Sequence, residues 1–256
     1  MISQEIGNLY DYIKEELDHD CNLQVDRDYT KLTCPNLSFD IFIIEKLGAN
    51  NVDDVKRKVI LTAQQLSNQT LKIKNRIKAL SGHARRIYAR ETVLARIDKR
   101  TAMTFQEDHH LQIALPGKYR YGLYEGGELV SVAIFSGGRR MKDQGDDYRS
   151  FELLRFCHKS DHLVVGGLSK LISGFIKDFH PNDIMTYVDL DWSQESSLKK
   201  IGFTEKGYRE AETFWISEGR QFSISSEKDL LEASEKQPNG YLYQNSGSIK
   251  LVLSVC

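Results

Sequence analysis

A glycine pair separates a β-branched run from an amphipathic helix pattern in HLVVGGLSKLISGFIKDF, which spans 162–179. The first backbone N–H groups of a helix have no intrahelical partner and carry the positive end of the helix dipole. Glycines at such a position remove the Cβ atoms that would keep a ligand away from these groups. The pattern therefore predicts an anion cradle for a phosphate or diphosphate at Gly166 and Gly167, with a tight packing turn as the alternative.

Side chains that can move protons occur in other predicted elements. His109 and His110 close a predicted helix, and a histidine titrates near neutral pH. Tyr187 and Asp189 share one face of a predicted strand, because side chains alternate along a strand. The candidate general bases are the two histidines, Glu152 and Asp189. As alternatives, His110 caps its helix, and Asp189 caps the turn after its strand or pairs with an arginine.

The strand pattern FELLRFCHK contains one charge, Arg155, among apolar residues. A buried charge needs a partner or a ligand phosphate, and Asp189 is the expected partner. Cys157 lies on the same face as Arg155 by alternation. It is interpreted as a buried core residue rather than a nucleophile, because free cysteines are among the most buried residues in proteins.

The overall composition limits the class of protein. A chain of 256 residues can form one large domain or two small ones. With 35 basic and 36 acidic residues, it gives no general signal for binding polyanions. The four cysteines have no C-x-x-C spacing, so they are interpreted as reduced thiols of a cytoplasmic protein, and no metal site is expected. No apolar run is long enough to predict a membrane span.

Two basic clusters each allow a solvated and a ligand-binding interpretation. The first is a basic stripe at 72–86, and the second precedes the FELLRFCHK strand. Each is expected to be a solvated surface. The alternative is contact with nucleic-acid phosphates or, for the second cluster, with the phosphate of a nucleotide cofactor. The basic stripe contains Lys72, Lys74, Arg76, Lys78, Arg85 and Arg86, and the second cluster contains Arg139, Arg140 and Lys142.

Residues 1–85 predict an N-terminal α+β extension. Apolar residues at helical spacing predict a helix over 2–18. Alternating and β-branched runs predict strands over 23–33 and 37–46, with a turn between them. The segment 51–81 predicts one or two helices, with Asn51 as the N-cap.

Residues 86–217 predict the element order β-α-β-β-β-α-β-α-β. The clearest part is the hairpin YRYGLYEGGELVSVAIFSG, whose strands flank a glycine turn. Residues 218–256 predict a short helix and a hairpin formed by GYLYQN and IKLVLSV. The predicted fold class is therefore α/β: a mixed sheet flanked by helices, with the N-terminal α+β extension and a C-terminal hairpin.

The element order and the glycine turn of residues 86–217 resemble the GNAT superfamily of N-acyltransferases. In that family a Gln/Arg-x-x-Gly-x-Gly/Ala turn after the fourth strand binds the pyrophosphate of acetyl-CoA. VVGGLS at 164–169 stands in that place, and LKKIGF at 198–203 resembles the family's Leu-Gly-Phe ending. The resemblance implies acetyl-CoA or another acyl-CoA as cofactor. It implies cofactor contacts by Phe156, Cys157, His158, Val165, Gly166, Gly167, Leu168, Ser169 and Lys170.

The resemblance also implies transfer of an acyl group to an amine. Such a reaction needs a neutral amine, a polarised thioester carbonyl and a proton for the leaving group. The fourth strand of the family, which corresponds to FELLRFCHK here, would polarise the thioester carbonyl with its backbone N–H groups. The residues expected to be catalytic are Asp189, His110, Arg155 and Tyr187.

A narrower likeness is carried by ELLRFCHK, VVGGLSKL, YVDLDWS and IGF. These strings resemble a phage and mobile-element branch of the fold that is similar to Mom-type DNA modification enzymes. The acceptor would then be a small-molecule or nucleic-acid amine, with DNA contact through the basic stripe. The chain departs from the family at Val164, where a cationic residue is usual, and at Leu198, where a tyrosine usually protonates the leaving thiolate. A non-catalytic module that binds nucleic acid or protein is therefore a third hypothesis.

Overall fold

The computed structural model describes residues 3–44, 57–192, 196–218 and 220–255. Its contacts divide the chain into two compact units. The first unit contains Met1–His83, Asp189–Gln194 and Arg209–Ser248, and the second contains Ala84–Val188, Glu195–Tyr208 and Ile249–Cys256. Each unit is thus assembled from separate segments of the chain. The division into 1–85, 86–217 and 218–256 stays a prediction.

The secondary structure consists of helices and short strands. The helices are α1 (Gln4–Asp11), α2 (Ala63–Leu80), α3 (Lys99–His109), α4 (Gly167–Phe179), α5 (Ser196–Lys200) and α6 (Glu227–Lys236), with a π-helical turn at Tyr12–Glu16 and 3-10 helices at Ala89–Glu91 and Leu190–Trp192. The strands are β1 (Asn22–Val25), β2 (Tyr29–Thr33), β3 (Asp40–Ile44), β4 (Lys58–Thr62), β5 (Arg85–Tyr88), β6 (Val93–Arg96), β7 (Tyr119–Glu125), β8 (Glu128–Phe135), β9 (Arg139–Arg140), β10 (Arg149–His158), β11 (His162–Val165), β12 (Asp183–Asp189), β13 (Thr204–Arg209), β14 (Thr213–Ser217), β15 (Arg220–Ile224), β16 (Tyr241–Gln244) and β17 (Ser248–Ser254). No helix in the described ranges is long and apolar enough to cross a membrane.

The first unit contains two sheets. One has the order β1-β2-β3-β4, with β3 and β4 parallel and the other neighbours antiparallel. Ile41, Phe42 and Ile43 on β3 are all fully buried, so side chains on both faces of this strand are buried, and its apolar run is continuous. The other sheet has the order β15-β14-β16.

The segment 51–81 differs from its helical prediction. Residues 58–62 form β4, which pairs with β3, and α2 begins only at Ala63. The N-cap is Thr62: its Oγ1 accepts the Gln65 backbone N–H at 3.0 Å, and the Gln65 side chain accepts the Thr62 N–H at 2.9 Å. Asn51 lies outside the described residues. The alternating KVILT pattern is satisfied by sheet pairing, which overrides helix propensity.

The prediction that all four cysteines are reduced thiols is wrong. Cys21 and Cys34 form a disulfide. They directly flank the pair formed by Asn22 and Thr33 at the end of the β1–β2 ladder, so the hairpin brings residues 13 apart in sequence to a Cα separation of 4.2 Å. The region predicted as one strand over 23–33 is therefore two paired strands. The cytoplasmic location, which depended partly on reduced thiols, stays a prediction.

The second unit is built on an eight-stranded mixed sheet, which confirms the predicted α/β class with a mixed sheet. Its order is β13-β17-β12-β10-β8-β7-β6, with β9 paired to β10. The strands β6, β7, β8 and β10 are successively antiparallel, whereas β10 and β12 are parallel. A separate parallel pair is formed by β5 and β11.

The two faces of the large sheet pack against different helices. Phe105 on α3 packs in one hydrophobic cluster with Val132 on β8 and Cys157 on β10. On the other face, the rings of Phe135 on β8 and Phe175 on α4 stack with centroids 4.0 Å apart. Because side chains alternate along β8, one strand supplies both cores. The second unit is therefore a sheet between helices.

The C-terminal hairpin is not formed, although both of its predicted strands are present. β16 pairs with β14, whereas β17 lies between β12 and β13 in the large sheet. The predicted final strand GYREAETFWI is likewise divided into β13 and β14, which belong to different sheets. The alternating pattern of β17 predicts which of its side chains are buried. It does not predict which strand β17 pairs with, because its neighbour β12 is distant in sequence.

Candidate functional site

The glycine turn connects β11 to α4. Gly166 has a φ of +79°, a left-handed conformation that strains other residues. Gly167 is buried, and a Cβ at this position would lie 3.1 Å from side-chain atoms of Val164 and 3.4 Å from Cε1 of His158. Both glycines are therefore required by the backbone conformation and by close packing. The tight turn given as the alternative interpretation is present.

The N-terminus of α4 differs from those of the other long helices. Side-chain oxygens of Ser3, Thr62, Asp98 and Ser226 accept a backbone N–H in the first turns of α1, α2, α3 and α6. Gly166, the N-cap of α4, has no side chain that could do so, and it is exposed. The positive end of the α4 dipole thus has no side-chain cap, and it is flanked by the exposed Gly166 and Ser169.

The residues around this turn have different environments. Val165 is exposed and Leu168 is buried. The Lys170 ammonium donates to the backbone oxygen of Ala89 at 2.8 Å and to that of Thr92. Lys170 therefore ties the 3-10 helix Ala89–Glu91 to the first turn of α4. Its predicted cofactor contact would have to coexist with these two hydrogen bonds.

An opening separates β10 from β12. The two strands pair only between 150–152 and 183–185, and β10 then continues to His158 with β8 as its ladder partner. Thr186 Oγ1 donates to the backbone oxygen of Leu153 at 2.9 Å where the pairing ends. The strand segments 155–158 and 186–188 consequently face an interval with no ladder between them. Tyr187, partly exposed, belongs to the second of these segments.

His158 lies where the opening meets the glycine turn. Its Nδ1 is 3.0 Å from Ser131 Oγ, which itself donates to the backbone oxygen of Cys157 at 3.1 Å. Because the Ser131 proton is used by that carbonyl, His158 Nδ1 donates to Ser131, and the neutral ring has its lone pair on Nε2. The partly exposed Phe156 ring contacts the His158 ring edge-on at 4.8 Å.

The Cys157 side chain is buried, and not disulfide-bonded, in the core next to α3, so the core interpretation of this residue is confirmed. A side chain in that position packs against Phe105 and Val132. The contact with a cofactor that was expected of Cys157 would therefore have to use its backbone.

The Arg155 guanidinium donates hydrogen bonds to two backbone carbonyls. Its Nε donates to the oxygen of Ile113 at 3.1 Å, and its Nη1 donates to that of Leu154 at 2.8 Å. The β8 register shifts at Leu154, so Arg155 joins a bulge in β10 to the segment after α3. These bonds explain how a charge is accommodated in this strand. Its predicted pairing with Asp189 stays a prediction.

His110 is the C-cap of α3, and its ring accepts a backbone hydrogen bond. The Gln112 N–H donates to His110 Nδ1 at 2.9 Å, and the Ser160 N–H donates to His109 Nδ1 at 3.3 Å. The neutral form of each ring therefore carries its proton on Nε2. In this form the His110 Nε2–H can donate a hydrogen bond, and a role as general base at Nε2 would require the other tautomer.

Asp189 ends β12 and belongs to the first unit. Its Oδ1 accepts the Asp191 N–H at 3.0 Å, which is the turn cap given as one alternative. Asp191 is buried and accepts the Tyr243 hydroxyl at 2.6 Å and the Ser246 N–H at 3.0 Å. Burial raises the pKa of Asp191, and these hydrogen bonds oppose the shift. The hydrogen bond between Tyr243 and Asp191 could not be predicted from the sequence, because 52 residues separate the two and strand alternation does not indicate such a partner.

Members of the basic stripe have partners within the protein. The Lys74 ammonium lies 4.7 Å from the centre of the Tyr12 ring, and Arg85 pairs with Glu125 at 3.1 Å. The pairing of Arg85 is exposed and contributes little to stability. These contacts are those of a solvated surface, and contact with DNA stays a prediction.

The second basic cluster is distant from the glycine turn. Arg139 and Arg140 form β9, which pairs with the first residues of β10, whereas the turn adjoins His158 at the last. This position removes these arginines as candidates for a cofactor phosphate bound near α4. Within the described ranges, no group of three or more His, Cys, Asp or Glu side chains could hold a metal ion.

The comparisons with known proteins concern the fold. No family model and no curated protein matches the sequence. The ribosomal-protein-S18-alanine N-acetyltransferase from Escherichia coli is 12% identical, with 64% of this chain and 94% of that chain covered and a TM-score of 0.39. A GNAT family acetyltransferase from Elizabethkingia anophelis, solved with acetyl-CoA bound, is 8% identical over 64% and 99% of the two chains, with a TM-score of 0.38. Ard1 from Thermoplasma volcanium is 10% identical over 65% and 99%, with a TM-score of 0.41.

Proposed function

We propose that the second unit is an acyl-CoA-dependent N-acyltransferase that transfers an acyl group to an amine. The observation that supports this most is the proximity of His158, at the end of β10 beyond its ladder with β12, to Gly167 at the start of α4. The part of β10 beyond the parallel ladder and a helix N-terminus without a side-chain cap therefore adjoin. An extended thioester arm that ends in a diphosphate can use N–H donors of a strand along the arm and N–H donors of a helix N-terminus at the diphosphate.

In the proposed complex, the chain binds the donor mainly through its backbone. The N–H groups in the first turn of α4, where Ser169 is exposed, bind the diphosphate, and the part of β10 beyond its ladder with β12 binds the arm as an added strand would. The absence of a side chain at Gly166 and the exposure of Ser169 support this fit. The acyl-CoA supplies an activated thioester when bound.

Two side chains of the second unit are proposed to handle the proton. The amine must lose a proton, and the departing thiolate must gain one. We assign the first role to the Glu152 carboxylate, one of the candidate general bases, and the second to the Tyr187 hydroxyl, which would take the place of the tyrosine missing at Leu198. The Nε2–H of neutral His110 would only donate a hydrogen bond to the thiolate. Arg155 positions the bulge of β10. Asp189 is our candidate for binding a cationic amine, and Asp189→Asn should then raise the KM for the acceptor with little change in donor affinity.

Calorimetric titration with acetyl-CoA tests the donor site. Ser169→Glu adds a negative charge to the first turn of α4, which suits the helix dipole but repels a diphosphate. Ser173→Glu makes the same change at an exposed position further along α4 and serves as the control. We expect Ser169→Glu to weaken binding by at least about 10-fold, equivalent to about 1.4 kcal/mol, and Ser173→Glu to leave it unchanged.

Mass spectrometry tests the transfer. Wild-type protein with isotopically labelled acetyl-CoA should add the label to one class of amine among peptide N-termini, small amines and DNA. Failure of wild-type protein to bind acetyl-CoA would overturn the proposal. Binding without transfer to any acceptor would favour the third hypothesis, a non-catalytic module.

A DNA base is the second candidate for the acceptor amine, as in the Mom-type enzymes. The strings that resemble that branch and the exposure of Arg76 and Arg86 in the basic stripe support it. DNA binding should then weaken steeply with salt, and charge reversal of Lys72 and Lys74 should reduce that dependence. Labelled nucleosides in digested DNA would identify this acceptor.

A further inference from the structure

A basic and aromatic surface lies on β5, outside the residues assigned to the reaction. Ile87 is buried, whereas Arg86 and Tyr88 are exposed, as alternation along a strand requires. Tyr88 has 46% of its surface exposed. Arg90 follows in the 3-10 helix, and its Cζ lies 4.9 Å from the centre of the Tyr88 ring. We name Arg86, Tyr88 and Arg90 the Tyr88 ledge.

The Tyr88 ledge adjoins the glycine turn. β5 and β11 pair in parallel, with Tyr88 directly opposite Val165. Val165 is 41% exposed and immediately precedes Gly166. The next positions are also close, because a Cβ on Gly166 would lie 3.5 Å from that of Ala89. A ligand that extends from the first turn of α4 past Val165 therefore reaches Tyr88.

The Tyr88 ledge is fixed to its surroundings on two sides. The Lys170 ammonium binds the backbone oxygens of Ala89 and Thr92, which secures the 3-10 helix to α4. β5 itself pairs with β11 along its whole length, from Arg85 to Tyr88. The exposed ring is therefore presented by an ordered element, which lowers the conformational entropy lost on binding.

The chemistry of the Tyr88 ledge suits a purine base that carries a phosphate. Aromatic rings and guanidinium planes stack on bases, and guanidinium groups bind phosphate through paired hydrogen bonds. Arg90 forms an ion pair with Glu91 at 3.8 Å, with side chains 79% and 51% exposed. Such an exposed contact is weak and leaves the guanidinium available to a ligand.

We propose that the Tyr88 ledge binds the adenine base and the ribose 3′-phosphate of the CoA donor. The proposal rests on the proposed function, because the donor diphosphate on α4 brings the adenosine end past Val165. Tyr88 stacks with the base, and Arg86 and Arg90 bind the 3′-phosphate. One aromatic ring suits a single nucleotide, whereas single-stranded nucleic acid is bound by rings for successive bases.

Calorimetric titration with acetyl-CoA, acetyl-dephospho-CoA and adenosine 3′,5′-bisphosphate tests this assignment. Tyr88→Ala should weaken binding of all three by roughly 10-fold, the usual size of one stacking contact, while Tyr88→Phe should bind as wild type does. Arg86→Gln with Arg90→Gln should abolish the preference for acetyl-CoA over its dephospho form. The matched controls are Tyr208→Ala, at an exposed tyrosine of β13, and Arg140→Gln, at an exposed arginine of β9.

The outcomes separate this assignment from the proposed function. If acetyl-CoA binding depends on Ser169 but Tyr88→Ala binds it as wild type does, the Tyr88 ledge is excluded and the transferase proposal stands. If adenosine bisphosphate binds through Tyr88 but no acyl group is transferred, the ledge is supported and the transferase fails. If neither ligand binds, or only a single-stranded oligonucleotide binds through Tyr88, the ledge assignment is overturned. Unchanged unfolding midpoints ensure that each variant is folded.

Discussion

The Thr186 hydroxyl donates a hydrogen bond to the backbone oxygen of Leu153 across 2.9 Å, at the point where β10 and β12 stop pairing. Both residues are buried. A side chain thus satisfies the first carbonyl beyond the parallel ladder, where a backbone N–H of β12 would otherwise be required. Thr186 therefore fixes where the opening between the two strands begins.

Thr186→Val should lower the free energy of unfolding by about 1–3 kcal/mol, because a valine of the same shape leaves the Leu153 oxygen buried and unpaired. Urea denaturation measures the change. Thr186→Ser keeps the donor and should recover most of the loss. If Thr186→Val unfolds at the wild-type urea concentration, the hydrogen bond contributes nothing to the stability of the opening.

The Cys21–Cys34 disulfide should contribute about 3 kcal/mol to stability, as expected for a closed loop of this size. Replacing both cysteines by alanine is therefore expected to lower the free energy of unfolding in urea by about that amount. Thiol titration of the denatured, unreduced protein gives an independent check. Two reactive thiols are expected from the four cysteines, and four would mean that the bond is absent.

The sequence predicted best those features that depend on neighbouring residues. The two glycines between apolar runs predict the β7–β8 hairpin, and in the structure Gly126 and Gly127 both adopt the positive φ that a tight turn needs, at +56° and +87°. The glycine turn was identified for a similar reason. Both patterns are local, and short-range turn chemistry is sufficient to specify them.

The features that were missed depend on partners distant in the chain. The insertion of β17 beside β12 and the Cys21–Cys34 bond are decided by which edges and side chains meet after folding. The same holds at the candidate site. His158 could be named from the strand pattern, but its hydrogen bond to Ser131 spans 27 residues and no periodicity encodes it.

Tyr121 should make stability depend on pH in alkaline solution. Its buried hydroxyl donates to Asp178 at 2.5 Å, and burial, with that carboxylate, raises its pKa from 10.0 to about 12. The folded state therefore favours the neutral phenol. This contribution is complete below about pH 10 and is lost as the pH rises to about 12, with an upper limit of about 3 kcal/mol.

The Tyr121→Phe variant isolates this contribution. The free energy of unfolding should be measured in urea at pH 9 and pH 11.5 for both proteins. The wild type is expected to lose more stability over that interval than the variant does, because only the wild type has this phenol to ionise on unfolding. Parallel losses would mean that Tyr121 ionises equally well in the folded protein.

Asp191 should produce a dependence of stability on pH with the same sign and the same cause as Tyr121, but beginning at lower pH. Burial raises the pKa of this carboxyl, so the folded state favours its protonated form. The pKa of the Tyr243 hydroxyl is raised by burial and by the charges of Asp189 and Asp191, so this hydroxyl keeps its proton and donates a hydrogen bond to Asp191. The corresponding stability is present below the ordinary aspartate pKa of about 4 and is lost as the pH rises through the raised value.

Asp191→Asn tests that sign directly. The amide is neutral at every pH and keeps an oxygen that can accept from Tyr243 or Ser246. Relative to wild type, the variant should therefore become progressively more stable in urea as the pH rises from 4 towards 8. Burial and the hydrogen bonds from Tyr243 and Ser246 act on the pKa of Asp191 in opposite directions. A wild type that instead gains stability over the variant in that interval would therefore mean that the hydrogen bonds outweigh burial. Asp191 would then be ionised in the folded protein.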